Sequence, residues 1–115
     1  MKTFTFEGET YIQASEFSQA DGDHVVIRDH MAGVYVGTLK SYDPVTKVAT
    51  LLNARKCWRW AGAAAVNGIA VKGIKYEGSK IAPAVPQVTM STVVECIMCT
   101  DVGYRSVMEA PEWKV

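Results

Sequence analysis

The sequence predicts a small α+β domain, built as a twisted antiparallel β-sheet or partly closed barrel with one or two short helices. Three observations predict it. Runs rich in Val, Ile, Thr and aromatic residues follow one another, separated by Gly, Pro and Asp turns. One alanine-rich stretch carries helical spacing. At 115 residues, 49% hydrophobic and 21% charged, the chain is long enough for one core and too apolar to remain disordered. A single domain over 1–115 is expected, with 1–23 as a variable N-terminal hairpin extension.

Thr3 to Phe6 alternates polar and aromatic residues, Glu7-Gly8-Glu9 supplies turn chemistry, and Thr10-Tyr11-Ile12 resumes the β pattern, which reads as a short hairpin. Ala14 to Asp23 has neither period and is expected as a loop or short helix. His24–Arg28 and Gly33–Leu39 are strands joined by the turn Asp29–Ala32. Asp43-Pro44 turns the chain into a third strand from Lys47, completing a meander. If that strand continues to Trp60, its period of two sends Lys56, Trp58 and Trp60 to one face and Arg55, Cys57 and Arg59 to the other, unless Asn53-Ala54 forms a bulge. Ala61–Val71 is expected as a short helix stopped by Gly73. Gly73–Pro86 reads as a Gly/Pro-punctuated connection. Val88–Thr100 is one long β run whose face of Val88, Met90, Thr92, Val94, Cys96 and Met98 covers the core. Thr100 or Asp101 caps a last helix to Glu109, and Pro111 ends it. Trp113 is too apolar to leave in water and is expected to dock on the body or on a neighbouring subunit.

Twelve basic and twelve acidic residues cancel, so no global field draws in duplex nucleic acid, and any anion site is local. Three cysteines make no disulfide framework, and the opening residues form no basic-then-apolar leader, so a cytoplasmic setting is expected. No apolar run approaches the roughly 18 residues of a membrane span.

Cys96-x-x-Cys99 lacks a second ligand pair, and on a strand its two thiols point apart, so core thiols rather than a metal site are expected. His24 and His30 stand in no catalytic spacing, and no nucleophile elbow occurs, so neither an enzyme nor a cofactor is expected. Arg28-Asp29 reads either as a charge pair at a strand end or as a guanidinium fork for an anion.

The densest feature is Arg55-Lys56-Cys57-Trp58-Arg59-Trp60. As structure, its tryptophans are core and its arginines solvated or bridged to a partner subunit. As function, indoles stack on a base while guanidiniums hold phosphates. Trp and Arg are also the residues most enriched at interface hot spots.

The segments Arg28-Asp29, Ala32–Leu39, Leu52–Ala63, Val94–Thr100 and Ala110–Trp113 together resemble a family of short tailed-phage and prophage proteins, across roughly Val25 to the C-terminus. The resemblance implies a phage source and brings no established activity, cofactor or site. By class, such proteins act as counter-defence factors or as virion and assembly components in the infected bacterial cytoplasm. The expectation is a homo-oligomeric, non-enzymatic sponge for a small anionic ligand, most plausibly a cyclic or modified nucleotide. Its ligand-binding residues would be Arg28, Arg55, Trp58, Arg59 and Trp60. The alternative is a structural or interaction protein with no small ligand.

Overall fold

A computed structural model describes residues 22–114 and the backbone of two strands before them, β1 (Thr3–Phe6) and β2 (Glu9–Ile12). These two pair antiparallel as a sheet of their own, the expected N-terminal hairpin. The loop or short helix expected over Ala14–Asp23 lies, up to residue 21, outside the described residues.

The meander is present and longer than its apolar runs suggest. Strands β3 (His24–Asp29), β4 (Gly33–Asp43) and β5 (Val48–Ala61) pair in succession, antiparallel. At the β4–β5 turn, Asp43 Oδ1 accepts from the Val45 amide at 2.9 Å, local chemistry that closes a tight turn. Asn53, at φ 49°, marks the β5 bulge, where the register against β4 shifts between Val36 and Thr38.

Two corrections concern the second half. The connection expected over Gly73–Pro86 contains an edge strand, β6 (Lys75–Ile81), paired to the C-terminal half of β5. The single β run expected over Val88–Thr100 is two strands, β7 (Val85–Met90) on β5 and β8 (Val93–Met98) on β3, with Ser91-Thr92 between them. A register shift at Arg28/Asp29 moves the faces, so Val93 is buried while Val94 is exposed. Because consecutive strands β7 and β8 sit on opposite edges of the meander, the six-stranded sheet coils strongly without closing. The corner is tied by the Val93 amide, which donates to the Lys47 carbonyl at 3.1 Å.

Coiling gives the sheet two buried faces. The inner face holds Val25, Ile27, Leu39, Ala49, Leu51, Ala54, Met90 and Val93. The outer face presents Val26, Val34, Val36 and Cys57 to two helices, α1 (Val66–Lys72) and α2 (Asp101–Met108), which contribute Val66, Ile69, Ala70 and Val107. Thr100 caps α2 by accepting from the Gly103 amide at 3.0 Å, and its hydroxyl also donates to the Val71 carbonyl at 2.7 Å. The helices cross at Gly103, where a side chain would fall on the Ala70 carbonyl oxygen.

Candidate functional site

The bulge at Asn53 decides the fate of the Arg-Trp cluster, because it sets which way Arg55 points. Arg55 is only 4% exposed. Its guanidinium donates to five backbone carbonyls: Nη1 to Val107, Met108 and Ala110 at 3.0, 3.3 and 2.6 Å, Nε to Ala82 at 2.8 Å, and Nη2 to Ile81 at 3.3 Å. Val107 and Met108 end α2, where carbonyls lack helical partners and the helix dipole is negative, so the cation caps that end. Buried and bonded through all three of its nitrogens, the Arg55 guanidinium is committed to the fold and is not presented to a phosphate.

Arg28 is also engaged. It sits opposite Glu95 in the β3–β8 register, and Nε meets Glu95 Oε1 at 2.6 Å on the surface. Its carboxylate partner is therefore Glu95, not the adjacent Asp29. Asp29 turns inward, 3% exposed, and accepts from Met31 N, Ala32 N, Thr92 N and Thr92 Oγ1 at 3.0, 2.9, 2.9 and 2.5 Å. Burial alone would raise its pKa, yet these donors outweigh it and hold the carboxyl below the usual range. Asp29 thus joins the β3–β4 turn to the β7–β8 corner.

The tryptophans take different positions. Trp58 is 54% exposed, with its ring stacked on Trp113 at a centroid distance of 4.9 Å and 17° between planes. Lys80 Nζ lies 5.0 Å from the Trp58 ring and 5.2 Å from that of Trp113, within cation–π range of both. The tail is seated by the Trp113 amide, which donates to the Ile81 carbonyl at 2.8 Å. Trp60 is half-buried against the helix-side core, its indole N–H donating to the Ala63 carbonyl at 3.3 Å. The register against β6 shifts on both sides of Arg59. Arg59 is exposed.

Trp58 and Trp60 nevertheless border one open hollow of about 340 Å³ beside the β3–β4 turn, together with His30, Met31, Gly33 and Lys56. Gly33, at φ +90°, keeps the floor low, and the Lys56 stem crosses it, a Cβ there standing 3.4 Å from Lys56 Cε. Lys56 Nζ lies 5.8 Å from the Tyr35 ring centroid. Of the five residues picked from sequence, the structure brings only Trp58 and Trp60 to this hollow. Lys56, His30 and Met31 are additions, and only Lys56 lay inside a segment whose composition drew attention to it.

The thiols do not add chemistry to this site. Cys57, Cys96 and Cys99 are pushed up to about 12, by burial above all, and stay protonated at neutral pH. Among the described residues no group of three His, Cys, Asp or Glu side chains is placed to hold a metal ion.

A family model described as a domain of unknown function, DUF6948, matches residues 22–107. The chain belongs to the DUF6948 family. The match runs from just before β3 to the last turn of α2 and so contains the meander, the hollow and Arg55. Trp113 lies beyond it. No curated protein and no solved structure matches the chain. No helix among the described residues is long and apolar enough to cross a membrane.

Proposed function

We propose that this chain is a non-enzymatic binder of a small, flat, anionic ligand of the nucleotide class. A half-exposed indole and a lysine border the same open hollow, and this observation carries the reading: Trp58 offers a stacking face and Lys56 a cation. The hollow, at about 340 Å³, falls at the lower end of the size of ligand sites. With Arg55 held by backbone carbonyls, and Arg28 paired through Nε with Glu95 and outside the lining of the hollow, charge recognition falls to Lys56 and Lys80, with Arg59 exposed nearby on the strand. Lysine holds a phosphate as a point charge rather than through a bidentate fork. On the resemblance to phage proteins, the biological role would be sequestration of a cyclic or modified nucleotide signal inside an infected host.

The test is titration of purified protein with cyclic dinucleotides, cyclic trinucleotides and cyclic ADP-ribose isomers, read by thermal shift and by tryptophan fluorescence. A ligand that binds only the folded state raises the melting temperature. Stabilisation lost in both Trp58→Ala and Lys56→Ala supports the proposal; no response to any nucleotide overturns it. A second reading is favoured by Met31, 77% exposed at the rim of the same hollow, since Met and Trp are enriched at protein interfaces. Under it, the hollow is a protein contact, nucleotides leave the melting temperature unchanged, and Trp58→Ala abolishes an association.

A further inference from the structure

Strand β6 runs along the C-terminal half of β5 in a broken register. Cys57 pairs with Ile81 and Arg59 with Lys80, so one step of β6 spans two of β5, and the extra residue is Trp58. This is a β-bulge, in which two successive residues of one strand oppose a single residue of the other. Trp58 and Arg59 therefore both stand opposite Lys80, whose ammonium lies 5.0 Å from the Trp58 ring. Beyond Arg59 the ladder breaks again: the next pair is Ala61 with Lys75, and the Ala61 amide donates to Ser79 Oγ at 3.0 Å. The pair of Arg59 and Lys80 is thus fixed between two irregularities.

Like charges directly opposite each other destabilise a sheet unless a counter-charge lies between them. The fold supplies none here. Among the described residues the ion pairs are Arg28 with Glu95 and Arg105 with Glu109, and neither Arg59 nor Lys80 donates a hydrogen bond. Lys80 has the rings of Trp58 and Trp113, which attract an ammonium without neutralising it. Arg28, Arg55 and Arg105, the other arginines of the chain, all donate to oxygen acceptors of the fold. Arg59 alone presents its guanidinium to solvent without one.

We infer that Arg59 and Lys80 form a clamp for dianionic phosphate, either a terminal phosphomonoester or the paired diesters of a cyclic dinucleotide. A guanidinium fork beside an ammonium point charge brings several charge-assisted donors to phosphate oxygens. Together the two side chains match a double negative charge, whereas a carboxylate leaves the pair half neutralised. Trp58 connects the clamp to the hollow, because its ring borders that hollow and also lies beside Lys80. A base stacked on Trp58 then carries its phosphate toward the pair. The inference rests on the nucleotide reading of the hollow for the ligand's ring, and on the β5–β6 register for its phosphate.

Amide and indole NMR shifts of the full chain test it, titrated at constant ionic strength with pyrophosphate, a nucleoside, its monophosphate and a cyclic dinucleotide of the same base. The expected result is saturable shifts at Arg59 and Lys80 with pyrophosphate, and tighter binding of a phosphate-bearing ligand than of the nucleoside. Arg59→Gln and Lys80→Gln should each weaken that ligand by about tenfold, the size of one lost charge-assisted contact, and leave the nucleoside unchanged. Arg59 makes no ring contact among the described residues, so Arg59→Gln stays informative should Lys80→Gln release the tail. A nucleoside bound as tightly as both phosphate ligands, or nucleotide affinity unmoved by both substitutions, overturns the clamp and leaves the base site standing. Shifts at the pair with pyrophosphate, and no response to nucleoside or nucleotide, keep the clamp and overturn the nucleotide reading. No saturable shift with any probe overturns both. Preference for the monophosphate over the cyclic dinucleotide identifies a terminal monoester as the bound group, and the reverse preference identifies the paired diesters.

Discussion

Arg55 Nη1 lies 2.6 Å from the carbonyl oxygen of Ala110, fastening the middle of β5 to the chain just beyond α2. Sequence composition offered this arginine as a phosphate ligand; its place in the fold makes it the cap of a helix end and a rivet between sheet and C-terminus.

Arg55→Ala removes a donor from all five carbonyls; Ile81 and Val107 keep the Trp113 and Ala110 amides, so the loss falls mainly on Ala82, Met108 and Ala110, and buried acceptors left unsatisfied cost about 1–3 kcal/mol each when water cannot reach them. Partial rehydration of a loosened tail offsets some of this, so the expected loss is about 3 kcal/mol or more, read by urea unfolding. Arg55→Lys should recover only part, since one ammonium cannot span both Ala82 and Ala110. A loss below about 0.5 kcal/mol, the usual size for surface substitutions, would show that the network does not hold in solution.

The meander was legible because its strands alternate β-branched residues and its turns carry Gly33 and Asp43, signals that are local. Strand β6 was not, because an edge strand with one buried residue, Ile81, has no period to display. The same limit governed the site. Arg55 and Arg59 look alike in sequence, and what separates them is a bulge at Asn53 and the arrival, from more than fifty residues downstream, of the Val107 and Ala110 carbonyls. Lys80 and Trp113 meet Trp58 only through tertiary pairing, which no spacing announces.

Asp29 makes stability depend on pH with a definite sign. Its folded pKa lies below the unfolded carboxylate value of about 3.9, so its contribution is complete above that value and is lost as pH falls through the folded pKa. The stability difference between the unaltered chain and Asp29→Asn, measured by thermal melts, should stay level from pH 8 to about pH 5 and shrink below about pH 4. A difference that grows on acidification would contradict the arrangement around Thr92.

Gly103 tests the crossing of the helices. A Cβ there meets the Ala70 carbonyl oxygen, a backbone atom that cannot swing aside, so Gly103→Ala must separate α2 from α1. Overpacking of this kind costs about 1–3 kcal/mol, well above the helix-propensity gain of about 1 kcal/mol from replacing glycine. The variant should melt lower than the unaltered chain, while a stabilised variant would mean that the helices do not cross there.

The contact between Trp58 and Trp113 asks whether the tail is docked in solution, and a double-mutant cycle answers it. Stacked aromatic pairs contribute about 0.5–1.5 kcal/mol beyond the area they bury, so Trp58→Ala and Trp113→Ala should be non-additive by that amount in unfolding free energy. Lys80→Ala should lower the coupling further, because its ammonium lies near both rings and favours holding them together. Strict additivity would mean that the tail leaves Trp58 uncovered in solution. The indole beside the hollow would then have both faces open, and Trp113→Ala would leave its fluorescence unchanged.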